Sequence, residues 1–513
     1  PQSPHFLSWR LNLMLSVHEQ RQDVHEKAQW KHASFSTFTF MRIDLNRVAV
    51  MLALLFSCAS VNGQTVELLE VRQAFQIQLL SIGLGISNEA LPIEHAVAMY
   101  RVTYPMTYLG ESYDATGALF LPVDDNGNPV ECALSTHTYM HGTVFLRDQT
   151  PSYEGFEGEL GFLMAAEGML TMMPDYLGLG GSEDVLHPYV HAESEAEAGM
   201  ALLSAVASLQ GELGFGLNGE HFVSGYSQGG HASMAMAKRM QEDPDAGFPL
   251  AGAAPMSGPY DMSGTQLPMG MAEEQYSNPA YLAYTLLAWQ QTYGNLFVEL
   301  SEIFQEPYAS GLPAMFDGET TGEMINGYLA GPTADIVHPG ALEGLMAEGH
   351  PFFLAAQDND LHQWIPQSPV QMYYCTLDEQ VFYENALVAE AWMTDNGSQA
   401  VSTVNGGALN HGGCAISAIF DGTVWINGQA ALCSPTAVQN VIPEHQLQLT
   451  WRSTEAGLMV EGLRIGEAWT LFGMDGRVLR SGITRSVPLR VDAPAGVSLF
   501  RANDGRFARL FQD

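Results

Sequence analysis

Ser227 lies in Gly225-Tyr226-Ser227-Gln228-Gly229, a run that fits G-x-S-x-G. A serine hydroxyl is a weak nucleophile near neutral pH. It attacks an acyl carbon only when a histidine accepts its proton and an acid orients that histidine. In a chain with 51 glycines among 513 residues the bare pattern carries little weight, and its flanks carry more. His221-Phe-Val-Ser-Gly225 has the length and apolarity of a buried strand, and Gln228 to Gln241 has a helical pattern. A strand entering the motif and a helix leaving it make the sharp turn that holds a serine exposed at a strand's end. Small neighbours let the chain bend there.

With this motif the partners follow in the order serine, acid, histidine. Asp378 stands just beyond the strand pattern ending at Cys375, and parallel sheets place functional loops at such carboxyl ends. Asp358, Asp360, Asp395 and Glu379 are the alternatives. Only His411 and His445 follow Asp378. His411, in the glycine-rich stretch Leu409 to Cys414, is expected as the base in a loop, and His445 as a solvated linker residue. A tetrahedral intermediate also needs two backbone N–H donors. Gln228, which follows the serine, supplies one; Thr143 supplies the other, with Gly142 as its nearest rival.

These groups need a frame. Strand patterns at Val130–Thr136, Gly168–Pro174, His221–Gly225 and Pro369–Cys375 alternate with helical patterns at Glu157–Glu167, Ser194–Leu209, Gln228–Gln241 and Glu384–Met393. That alternation predicts the α/β class, a mostly parallel sheet flanked by helices. Residues 263–366 break the rhythm with aromatic and Met-rich helical pieces and are expected to form a cap. In it, Tyr281 to Trp289 reads first as core, with contact to a bound acyl chain as the second reading. After Pro443 short alternating runs, with a turn at Met474-Asp-Gly-Arg477, predict a small all-β module over 447–513.

The charge divides the chain the same way. The whole carries −37, with 57 acidic and 20 basic side chains. Residues 64–446 hold 46 acidic and 5 basic residues, whereas 447–513 hold 7 acidic residues and 9 arginines. So few bases exclude nucleic acid as the main partner, because phosphate binding needs clustered Lys and Arg. Near the start, Arg42 and Arg47 precede the apolar run Val48–Phe56 and then small residues, which reads as a signal peptide over 41–63 cleaved near Gly63/Gln64. Cys58 stands in a stretch resembling a lipoprotein box, with Phe56 where a smaller residue is usual. Residues 1–40 are expected to be a disordered, over-extended reading frame. The domain reading is therefore 1–40, 41–63, a catalytic domain at 64–446 and the tail at 447–513. Cys132, Cys375, Cys414 and Cys433 permit two disulfides in an exported chain, with three pairings open.

Six segments then recur in order: Tyr139-Met-His-Gly-Thr143, Pro174-Asp-Tyr-Leu-Gly-Leu-Gly180, His187-Pro-Tyr189, Gly225-Tyr-Ser-Gln-Gly-Gly230, Tyr374-Cys-Thr-Leu-Asp-Glu379 and Asn410-His-Gly-Gly-Cys414. Together they resemble the secretory lipase/esterase branch of the α/β-hydrolase superfamily over roughly residues 90–433. The resemblance implies hydrolysis of a small-molecule or lipid carboxylic ester by Ser227, His411 and Asp378 beneath a cap. A peptidase, an acyltransferase or a non-catalytic binding homologue are the other readings. Thr470 to Leu479, Ala495 to Arg501 and the basic-aromatic end Arg506–Phe511 resemble the C-terminal sorting domain of the type IX secretion system of Bacteroidetes. That implies the type IX machinery as partner and a secreted or cell-surface location. No metal or other cofactor is expected. His187 and His191 are separated by a helix-breaking Pro188, Asp358-Asn-Asp360 reads as a turn rather than a calcium loop, and Glu193, Glu195 and Glu197 read as an acidic helix start.

Overall fold

The computed structural model describes residues 63–86, 91–153 and 155–434, then 450–454, 457–461, 463, 468–473, 478–485, 488–491, 496–502 and 507–512. Residues 1–40, the expected leader apart from Gly63, His445 and the turn at 474–477 lie outside them, Cys58 included.

Nine strands form the main sheet: β1 Thr65–Arg72, β2 Ala96–Tyr108, β3 Glu111–Val123, β4 Ala133–Met140, β5 Leu170–Pro174, β6 Gly216–Tyr226, β7 Leu250–Met256, β8 Val370–Tyr374 and β9 Val401–Asn405. Their order is β1-β2-β3-β5-β4-β6-β7-β8-β9. The first pairings are antiparallel, and from β5 across to β9 every pairing is parallel. Parallel neighbours need crossovers, which here are helices.

The helices of seven or more residues among those described are α1 Ala74–Gly83 between the antiparallel β1 and β2, then the crossover helices α2 Phe156–Ala165, α3 Ala192–Ser208 and α4 Gln228–Glu242, α5 Pro279–Tyr293, α6 Gly322–Tyr328 and α7 Pro351–Asp358 between β7 and β8, and α8 Glu384–Asp395, and last α9 His411–Gln429 after β9. Side chains alternate across the sheet with the two-residue period of a strand. Leu119 and Leu121 join the core under α3, α4 and α8, while Ala118 and Phe120 join the core under α1, α2 and α9. Helices on both faces of a mostly parallel sheet in this strand order make the α/β-hydrolase fold.

The segment between β7 and β8 packs around its own apolar cluster, with Trp289, Leu312, Ile325 and Phe352 fully buried. Proline opens α5 and α7, where its missing N–H costs no helix bond, and Gly294 ends α5 in the left-handed region. Toward the C-terminus stand β10 Thr450–Thr454, β11 Gly457–Glu461, β12 Ala468–Gly473, β13 Val478–Ile483, β14 Leu489–Val491, β15 Gly496–Ala502 and β16 Phe507–Gln512. They form a three-stranded and a four-stranded antiparallel sheet.

Several boundaries differ from expectation. β4 starts at Ala133 and runs on to Met140, and β6 starts at Gly216. Thr136 and His137 tolerate burial because they pair across the strands with His221 (2.8 Å) and Ser224 (2.7 Å). His411 is not in a loop. It opens the 19-residue helix α9, whose N-cap Asn410 accepts the Gly413 amide at 2.9 Å.

Candidate active site

The parallel register lines up the strand ends. Met140 pairs with Gly225, Tyr226 with Met256, Met256 with Tyr373, and Tyr374 with Asn405. The segments that follow β4, β6, β8 and β9 therefore emerge on one edge of the sheet, and they carry Thr143, Ser227, Asp378 and His411.

Ser227 occupies the turn between β6 and α4 at φ 62° and ψ −120°, a region that costs a side chain of this kind on the order of 1–3 kcal/mol. The surrounding glycines make the turn possible. A Cβ at Gly229 would lie 1.9 Å from the Met140 carbonyl oxygen, and one at Gly225 would lie 2.2 Å from the Gly229 carbonyl oxygen. The Ser227 amide is held by the Met256 carbonyl at 2.9 Å. Ser227 is 8% exposed, at the wall of a largely apolar cavity. Leu267, Met271, Leu282, Phe304, Val337 and Leu342 of the inserted segment line much of the remainder. Of the expected aromatic stretch, Tyr281 and Leu282 line this cavity, whereas Trp289 is core.

Asp378 and His411 meet, with His411 Nδ1 2.7 Å from Asp378 Oδ2. The other carboxylate oxygen, Oδ1, accepts the amides of Gln380 (3.0 Å) and Val381 (2.9 Å), which fixes its orientation. Glu379 holds the start of α9 by accepting the His411 amide at 3.1 Å. Tyr226, next to the serine, donates its hydroxyl to the His411 carbonyl at 2.7 Å, and the two rings lie 5.0 Å apart. Burial first, then the charge of Asp378, holds the Tyr226 phenol well above its ordinary value, so it stays a donor. Among the described residues no hydrogen bond yet joins Ser227 Oγ to His411; in ligand-free sites this contact often closes only with substrate. The rival acids are engaged elsewhere or removed from the site. Asp358 accepts from the Tyr293 hydroxyl (2.8 Å), Asp360 pairs with Ser263, and Asp395 is exposed at the end of α8.

The two amides expected to face the oxyanion are distinguishable from their neighbours. Gly142 N–H is already spent on Glu157 Oε1 at 3.0 Å. The Thr143 and Gln228 amides have no partner among the described residues, and Gln228, the first residue of α4, has no intrahelical one. Tyr139 donates to the other oxygen of Glu157 (2.7 Å), and Thr143 Oγ1 meets the Tyr189 hydroxyl (2.9 Å).

One group was hidden from sequence reading. Glu195, expected as part of an acidic helix start, is 1% exposed. Its carboxylate accepts from Gln228 Nε2 (2.9 Å) and lies 2.6 Å from His231 Nδ1, so it braces the turn behind Ser227. Gln228 Nε2 also meets His187 Nε2 at 2.7 Å, while His187 Nδ1 donates to the Leu177 carbonyl at 2.9 Å. Burial pushes the His187 imidazole down to about 3, which keeps Nε2 an acceptor. His191 caps α3, its side chain accepting the Ser194 amide. The cysteines form Cys132–Cys433 and Cys375–Cys414.

No protein-family model matches the chain, and no curated protein matches it. Solved structures do. The rice cell wall degrading esterase LipA from Xanthomonas oryzae is similar at 27% identity, covering 71% of this chain and 97% of that one, with a TM-score of 0.63. A second structure of it gives 26% identity over 71% and 97%, with a TM-score of 0.62. A Legionella pneumophila protein shares the fold at 24% identity, 71% and 97% coverage, with a TM-score of 0.65. These likenesses support a hydrolase of the α/β-hydrolase fold.

Proposed function

We propose that this chain is an exported serine ester hydrolase acting through Ser227, His411 and Asp378. The observation that carries the reading is the Asp378–His411 pair, 2.7 Å long, beside a serine held in a left-handed turn. His411 Nε2 takes the Ser227 proton as Oγ attacks the ester carbonyl, and Asp378 keeps the imidazole in the tautomer this requires. The tetrahedral oxyanion forms against the Thr143 and Gln228 amides, which need no reorganisation to receive it. Collapse expels the alcohol with the proton from His411. Water, deprotonated by the same imidazole, then attacks the acyl-enzyme and releases the acid.

The apolar cavity suits the acyl side of the ester, with a hydrocarbon chain lying among Leu267, Leu282 and Val337. Two disulfides fit an oxidising compartment, and no helix among the described residues is long and apolar enough to cross a membrane. The arginine-rich tail is proposed as a type IX sorting module, and a chain lacking 447–513 should accumulate in the periplasm. A fluorophosphonate probe should attach to the peptide containing Ser227. An ester panel set beside the matching amides separates esterase from peptidase; hydrolysis of amides with esters untouched would overturn the reading.

A further inference from the structure

The inserted segment leaves the core after β7 and returns before β8, so two stretches of chain cross between core and cap. The outgoing stem is Tyr260 to Ser263 and the returning stem is Asn359 to His362. They are joined directly: Leu361 N–H donates to the Tyr260 carbonyl at 2.8 Å, and Ser263 donates its amide (2.9 Å) and hydroxyl (2.6 Å) to the Asp360 carboxylate. Where the stems meet, Asp261, Asp360 and His362 each present a donor atom, all within 4.8 Å of one another.

His362 is the decisive member. It is 7% exposed, and its Nδ1 is buried without a hydrogen-bond partner. That nitrogen lies 3.7 Å from Asp261 Oδ1, longer than any good hydrogen bond. Nε2 is 3.1 Å from the Gln363 side-chain amide, whose two ends exchange by a flip, so Nε2–H can donate there. The Nδ1 lone pair is then left beside carboxylates in a buried site, an arrangement that a cation resolves. Both carboxylates are already oriented. Asp261 accepts from Gly264 N (3.0 Å) and Thr265 Oγ1 (2.6 Å), as Asp360 does from Ser263, the kind of outer support that metal-ligating carboxylates have.

We propose that Asp261, Asp360 and His362 bind one divalent transition-metal ion, with zinc best matched to a mixed imidazole and carboxylate set. Water completes its coordination. The ion staples the two stems of the cap. It also steadies α8, because the Asp261 amide donates to Asn385 Oδ1 at 3.0 Å. The proposal does not depend on which reaction the cavity supports.

The test uses the full chain, stripped with EDTA and freed of chelator, and zinc chloride alone as probe. Calorimetry should find one ion per chain, and a tenfold excess should raise Tm by about 3 °C. Asp360→Asn and His362→Phe should each weaken binding at least tenfold; should His362→Phe fail to fold, Asp360→Asn with elemental analysis decides alone. The proposal falls if the parent protein takes up no zinc. It falls equally if the variants bind it as well as the parent does, or if the stems are stabilised only by acid and never by metal, which would make the cluster a protonated ion pair.

Discussion

Asp378 and His411 are 33 residues apart in sequence and 2.7 Å apart in space, and the Cys375–Cys414 disulfide bridges the same two segments. Cys375 precedes the acid by three residues and Cys414 follows the histidine by three. The bond therefore ties the end of β8 to the first turn of α9 and limits how far the imidazole can drift from its carboxylate.

Replacing Cys375 and Cys414 together by serine should lower stability by about 4 kcal/mol on the loop-entropy account. It should also depress esterase turnover at temperatures where the variant is still folded. Denaturant midpoints and kcat measured side by side check this; unchanged values for both would mean that the bridge does not constrain the pair.

Asp378→Asn should leave the fold intact, because the amide can still accept from Gln380 and Val381 through its oxygen. On the proposed mechanism it should cost roughly 10⁴-fold in kcat by disturbing the imidazole tautomer. Steady-state kinetics with a p-nitrophenyl ester, together with a thermal melt, give the answer. Wild-type kcat would move the role to another carboxylate.

Leu282→Trp should shorten the cavity. Acetyl ester kcat/KM should change by less than about threefold, while octanoyl ester kcat/KM should fall more than about tenfold. Equal loss for both chain lengths would place the acyl group elsewhere.

Burial pushes His137 and His187 down to about 3 and His191 down to about 4. Below the ordinary histidine value near 6.5 the unfolded chain binds protons that these buried rings refuse. Their contribution is thus complete above about pH 6.5 and is lost as pH falls toward 4 and then 3. Glu167, raised to about 7 mainly by burial, acts in the opposite sense by favouring the folded state as pH drops below 7. The three rings outweigh Glu167, so the urea midpoint should fall between pH 7 and pH 4.5. His137→Gln should flatten that fall, and a midpoint that rises on acidification would contradict the account.

The parts of the site legible in sequence are those whose chemistry forces local pattern. A serine at a tight turn demands glycines beside it, so Gly225 and Gly229 marked Ser227. An acid beyond a strand end marked Asp378. The helix beginning at His411 was hidden because Gly412 and Gly413 are poor helix formers, and the first turn depends on Asn410 and on Glu379 from another segment. Glu195 was hidden because Glu193, Glu195 and Glu197 read together as an acidic helix start, and its partners Gln228 and His231 come from α4 packed across α3. The long hairpin β2–β3 went unread although Leu109 and Gly110, both at positive φ, make its turn.

Ser227 Oγ is proposed to form the acyl-enzyme. Rapid mixing of the protein with a p-nitrophenyl ester, beside Ser227→Ala with the same melting temperature, decides this. The parent should release a burst of about one p-nitrophenolate per chain and carry the acyl group on the Ser227 peptide by mass, while the variant shows neither burst nor adduct. A variant that turns over near the parent rate, or a parent acylated at another residue, would contradict it.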